Sequence, residues 1–257
     1  QMIKSIVPLV LIAAIIFLAG CRGKSSSEKG TAPDTDTVSV PDTGYTGIKQ
    51  YLSNNRVIRE VTFKNGVRDG LTKTFYPGGQ LYQTFWYENG FREDSSVWYF
   101  VEGQVFRTTP YKRDTVDGFQ KQYYRTGKPR AIIGYSKGLR TTFLEEYDQN
   151  GRVLRNYPEI VTEINDEYSS KGLYRITLSM SDNTDKVKFY RGDLNDGCFD
   201  TTMVRQLDAV NGKAVLTLKK TDSPKPGYTG VISETVTQLG NRNFIYKKIE
   251  LPYNDLN

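Results

Sequence analysis

The 257-residue chain carries 35 basic and 29 acidic residues and no histidine, for a formal net charge of +6. Without imidazole, Ser-His-Asp and Cys-His catalysis are excluded, and the commonest general base and metal ligand are missing. With 18 Tyr, 12 Phe and 23 Gly against 3 Met and 2 Trp, the composition favours short strands and turns over helices.

Lys4 precedes an apolar run over residues 6–18. That run is short for a bilayer span and reads as an export leader. It ends in Leu18-Ala19-Gly20-Cys21, which resembles the lipobox of bacterial lipoproteins. The resemblance implies that residues 1–20 are a signal peptide, that Cys21 carries the lipid, and that the partner there is a membrane. Arg22 after the cysteine implies outer-membrane sorting in the cell envelope. An exported chain of this kind is not expected to meet nucleic acid. Once Cys21 is acylated, Cys198 is the one thiol left, so no internal disulfide forms. Residues 21–45 are Ser, Thr, Asp, Gly, Lys and Pro with almost nothing apolar, as in a flexible tether.

From Tyr51, steps of twelve residues land on Phe63, Phe75, Tyr87, Tyr99, Tyr111, Tyr123, Tyr135 and Tyr147, although aromatics make up only 12% of the chain. Glycines keep the doubled period: Gly79, Gly103, Gly127 and Gly151 form one column, while Gly66, Gly90 and Gly138 form another that Asp114 interrupts. A 24-residue unit of two antiparallel strands follows, repeated into one meandering sheet. The first unit is predicted as a strand over 57–64, a six-residue turn over 65–70 and a strand over 71–76. Alternate strands reverse, so Phe63, Tyr87, Tyr111 and Tyr135 are expected along one margin of the sheet. Phe75, Tyr99, Tyr123 and Tyr147 are expected along the other, all as framework rather than ligand contacts. Asp94 and Thr142 stand where Gly70 and Gly118 predict glycine.

Phe63-Lys64-Asn65-Gly66-Val67-Arg68-Asp69-Gly70, Tyr87-Glu88-Asn89-Gly90 and Tyr135-Ser136-Lys137-Gly138 resemble MORN repeats, in the bacterial variant found in lipoproteins and antitoxin-like proteins. The resemblance covers about residues 51–156. It implies an elongated antiparallel sheet and a role in protein or membrane association.

The period ends near Tyr157-Pro158. Beyond it, strands are predicted over 173–180, 186–190, 214–218, 228–237 and 244–251, a small β-sandwich over 158–257, immunoglobulin-like in outline. The whole is therefore expected to be all-β, with repeats over 46–157.

Chemistry-bearing groups are sparse. Glu145-Glu146 is read as charge on a partly exposed strand, its two side chains on opposite faces. Cys198 is read as a small packing residue, and the segment 193–197 as an Asx-type turn rather than a calcium loop. No cofactor or metal site is expected. The expected function is a non-catalytic binding or scaffold module for a protein or envelope glycan. An antitoxin-like role and a carboxylate-based glycan hydrolase are the alternatives. Arginines recurring along the repeats (Arg56, Arg59, Arg68, Arg92, Arg107, Arg113, Arg125, Arg130, Arg140, Arg152 and Arg155) offer a basic strip for an acidic partner.

Overall fold

A computed structural model describes residues 44–257. The leader, Cys21 and nearly all of the tether lie outside these residues.

Ten strands follow one another side by side in a single antiparallel path: β1 (Gly47–Ser53), β2 (Arg56–Lys64), β3 (Val67–Phe75), β4 (Leu81–Glu88), β5 (Phe91–Tyr99), β6 (Val105–Lys112), then, after the short β7 (Thr115–Val116), β8 (Gly118–Tyr123), β9 (Pro129–Ser136), β10 (Leu139–Tyr147) and β11 (Val153–Leu154). The 24-residue unit is thus a hairpin. Its first turn is only two residues long, not six: Asn65 and Gly66 both take positive φ (52° and 80°), the geometry that matches the twist of the flanking strands. Asn89-Gly90 and Lys137-Gly138 repeat it, and Arg113-Asp114 adopts it without glycine (φ 47° and 65°).

The expected long turn is instead a bulge inside the ladder. Phe63 pairs with Arg68 but Val61 pairs with Thr72, so Asp69, Gly70 and Leu71 together face Thr62. Gly70 and Gly118 sit there at φ 106° and 112°, and Asp94 at 57°. In the last hairpin Thr142 is not left-handed. The space is made instead on the facing strand by Gly134, where a Cβ would overlap Thr141 Oγ1. The second turns are uniform: the N–H groups of Gly79, Gly103, Gly127 and Gly151 donate to the carbonyls of Tyr76, Phe100, Tyr124 and Asp148 at 2.8–3.0 Å.

Neighbouring hairpins are tied by a repeated bond. Gly90, Asp114 and Gly138 donate their N–H to the carbonyls of Arg68, Arg92 and Val116 at 2.8–3.0 Å. Tyr76 and Tyr124 hydroxyls each reach one repeat onward, to the Tyr99 and Tyr147 carbonyls, at 2.7 Å.

The remaining chain forms two four-stranded sheets. One holds β12 (Ile160–Glu167), β13 (Leu173–Met180), β18 (Lys213–Lys219) and β17 (Ala209–Val210); the other holds β16 (Arg205–Leu207), β14 (Lys188–Arg191), β19 (Tyr228–Val236) and β20 (Arg242–Glu250). Lettered in chain order with the short β15 (Cys198–Phe199) left out, these orders read A-B-E-D and C′-C-F-G, the immunoglobulin arrangement. A four-residue helix, α1 (Tyr168–Lys171), joins A to B and ends on Gly172 at φ 64°.

The strict alternation of buried Tyr174, Ile176, Leu178 and Met180 with half-buried neighbours drives this packing. Those four side chains meet Leu216, Leu218, Phe189 and Val231 in the inter-sheet core. β12 escaped the sequence reading because only Ile160 of its eight residues is buried. β15 joins neither sandwich sheet and pairs instead with β10, Arg140 opposite Phe199 and Thr141 opposite Cys198.

Candidate functional site

The two aromatic rows fall on opposite faces of the repeat sheet, a consequence of the odd register across each hairpin. Phe63, Tyr87 and Tyr111 are buried and Tyr135 is half-buried. Their cross-strand partners are Arg68, Arg92, Val116 and Arg140, so this inner face alternates rings with guanidinium groups. Arg92 lies 4.5 Å from the Tyr111 ring centroid and Arg107 lies 4.2 Å from that of Trp98. Phe85, Tyr87, Trp98 and Tyr111 form the cluster beneath them. Each stacked cation contributes about 0.5–2 kcal/mol, more as water is excluded.

The expected basic strip is therefore largely consumed by the fold. Arg92 also pairs with Asp114 at 2.9 Å, and Arg125 pairs with Glu102 while stacking on Phe100. Arg130 donates to the Leu239 carbonyl and Arg140 to that of Arg242.

Phe75, Tyr99, Tyr123 and Tyr147, all half-buried, belong by alternation to the outer face. Between them the register assembles a band that the twelve-residue columns did not reveal. Ile48 pairs with Thr62, the Thr62 hydroxyl donates to the Leu71 carbonyl at 2.7 Å, and Leu71 pairs with Trp86. Farther along, Phe119 faces Gly134 and packs edge-on against Phe143 with centroids 5.0 Å apart. Ile48, Trp86, Phe119 and Phe143 are 61%, 43%, 53% and 43% exposed. Strands about 4.8 Å apart make the span from β1 to β10 roughly 38 Å. The residues alongside the band are mixed in sign, Glu60 and Lys73 forming one pair at 3.4 Å. The bulge positions are what carry Leu71 and Phe143 outward, a signal that neither period nor composition displays.

The sandwich is fastened to the far end of this sheet. Glu146, read from sequence as partly exposed, is 1% exposed. It accepts hydrogen bonds from Thr237 Oγ1 and Asn241 Nδ2, both at 2.7 Å, and from the Tyr157 hydroxyl at 3.2 Å. Beside it Tyr190, Phe199, Ile232 and Phe244 make a second core on the outer side of the C′-C-F-G sheet. Glu234 sits at its border, accepting from the Tyr190 hydroxyl at 2.7 Å and from Arg242 Nε at 2.8 Å. Burial opposes its charge, but these bonds outweigh that and hold the carboxyl below its ordinary value. Cys198 is buried, which pushes its thiol up.

At the other end of β19 a cleft of about 190 Å³ opens between Arg191, Asp193, Lys225, Tyr228 and Leu256. Asp193, from the segment read as a turn, accepts from the Tyr246 hydroxyl at 2.7 Å and the Tyr228 hydroxyl at 3.3 Å. Among the described residues no group of three or more His, Cys, Asp or Glu is placed to hold a metal ion, and no helix is long and apolar enough to cross a membrane. Comparison with protein-family models, curated proteins and solved structures found no match to this chain.

Proposed function

We propose that the chain is a MORN-type envelope lipoprotein, held to a membrane through Cys21, that works as a non-catalytic binding module. The outer face of its repeat sheet is the docking surface and another protein is the partner. The observation that carries this reading is the exposed band from Ile48 through Leu71 and Trp86 to Phe119 and Phe143. Several large apolar side chains left exposed on one face of a folded domain favour an interaction site there. Aliphatic side chains interleaved with edge-on rings suit the uneven surface of a protein better than the flat face of a sugar.

The test is capture of envelope proteins by the full chain and by a Trp86→Ser, Phe119→Ser, Phe143→Ser variant. The variant is expected to melt within a few degrees of the parent and to lose its captured protein. Undiminished capture by the folded variant removes the outer face as the docking surface. Palmitate labelling that persists in Cys21→Ala removes the anchor.

A further inference from the structure

The cleft at the start of β19 is built from three segments distant in sequence. Arg191 and Asp193 come from the end of β14, Lys225 and Tyr228 from the connection into β19, and Leu256 from the tail after β20. Its wall requires glycine: a Cβ on Gly230 would overlap both Asp193 Oδ1 and the Gly192 carbonyl, and Gly192 lies at φ 140°. Leu256 is 2% exposed and belongs to the sandwich core beneath the cleft, while the exposed Pro226 and the half-buried Tyr228 supply apolar wall beside the charged groups.

The charges here are unbalanced. Arg191 faces Arg205 across the β14–β16 ladder, and like charges directly opposite one another on neighbouring strands are destabilising. Among the described residues, Arg191, Arg205 and Lys225 enter no ion pair. Burial, with Arg205 second, pulls the Arg191 guanidinium below its ordinary value, so an anion beside it relieves both stresses. Arg191 spends one N–H on Asn257 Oδ1 at 3.0 Å, and the planar fork keeps further donors. Asp193, the acidic group of the cleft, has each oxygen already accepting from a tyrosine hydroxyl.

We propose that this cleft binds a small monocarboxylate. Arg191 and Lys225 receive the carboxylate, and a short apolar tail lies against Pro226 and the Tyr228 ring. A cleft of about 190 Å³ is below the roughly 300–1,000 Å³ of drug-sized sites, which limits the ligand to a few heavy atoms. The apolar wall of Pro226 and the Tyr228 ring favours a carboxylate with a short tail over a bare inorganic anion.

Calorimetric and NMR titration of the full chain with butyrate, butyramide and inorganic phosphate tests the assignment. Butyrate is expected to saturate at millimolar concentration, with shifts concentrated at Arg191, Lys225, Tyr228 and Gly230. Butyramide, the same shape without charge, is expected to bind at least about tenfold more weakly. Arg191→Gln should weaken butyrate about tenfold and Lys225→Gln about threefold. If Arg191→Gln does not fold, Lys225→Gln and the butyramide comparison decide alone. Failure of butyrate to saturate, equal affinity for butyramide, or unchanged affinity in folded variants overturns the proposal. Phosphate binding tighter than butyrate overturns the place given to the apolar tail.

Discussion

The repeat sheet and the sandwich bury their side chains by different means. In the sandwich two sheets close on each other, and Ile176, Leu178, Leu218, Phe189 and Val231 are completely excluded from water. Among the described residues, the first repeats have no second layer. There Phe85, Tyr87, Trp98 and Tyr111 are covered by arginines folded down from neighbouring strands. Long charged side chains can cover an apolar surface while keeping their heads in water. A cover of this kind is thinner, costs side-chain entropy, and leaves the opposite face available for contact with something else. The sandwich holds the thicker core of the fold, and the repeats hold the thinner one.

The largest test of that contrast lies in the sandwich core. Phe189→Ala removes a ring with no exposed surface and is expected to cost about 3–5 kcal/mol, read from denaturant unfolding. Trp98→Ala in the repeat sheet should cost less, about 2–3 kcal/mol, because arginine tails can collapse into the gap. A loss as large as that for Phe189→Ala would erase the distinction.

Glu146→Ala comes next. It strands the Thr237 hydroxyl and the Asn241 amide, for an expected loss of about 2 kcal/mol. Separation of one unfolding transition into two in this variant would identify Glu146 as the coupling between the regions.

A smaller effect is expected from pH. Because the Glu234 carboxyl is held below its ordinary value of 4.5, its bonds to Arg242 and Tyr190 contribute fully above about pH 4.5. The contribution disappears as pH falls through the lower folded value. Glu234→Gln should therefore flatten the acid limb of a melting-temperature profile, and an unchanged limb would remove Glu234 from it. Smallest of all, Phe119→Ser on the outer face is expected to change stability by no more than about 0.5 kcal/mol.

Much of this architecture could be read in advance, and what was missed shares a cause. The 24-residue period, the Asn-Gly turns and the alternation over 173–180 gave the meander and one sheet of the sandwich, because those signals are local. The sequence predicts a turn where the bulge at Asp69–Leu71 lies, since a glycine at positive φ such as Gly70 serves either setting. Which face each aromatic row occupies depends on that register, so the outer band could not be seen. Glu146 looked like surface charge because its partners lie 91 and 95 residues away. The cleft likewise gathers side chains that no spacing connects.

The bond from each hairpin turn to the carbonyl of the hairpin before it has a consequence for how such a chain changes length. Every internal repeat offers its successor the same socket that it occupies itself. A cassette of 24 residues can therefore be spliced in or out between Arg68 and Arg92 without disturbing the strand that grips the sandwich. Each cassette alters the length of the repeat sheet by two strand widths, roughly 10 Å, which makes repeat number a ruler that the rest of the molecule does not have to sense.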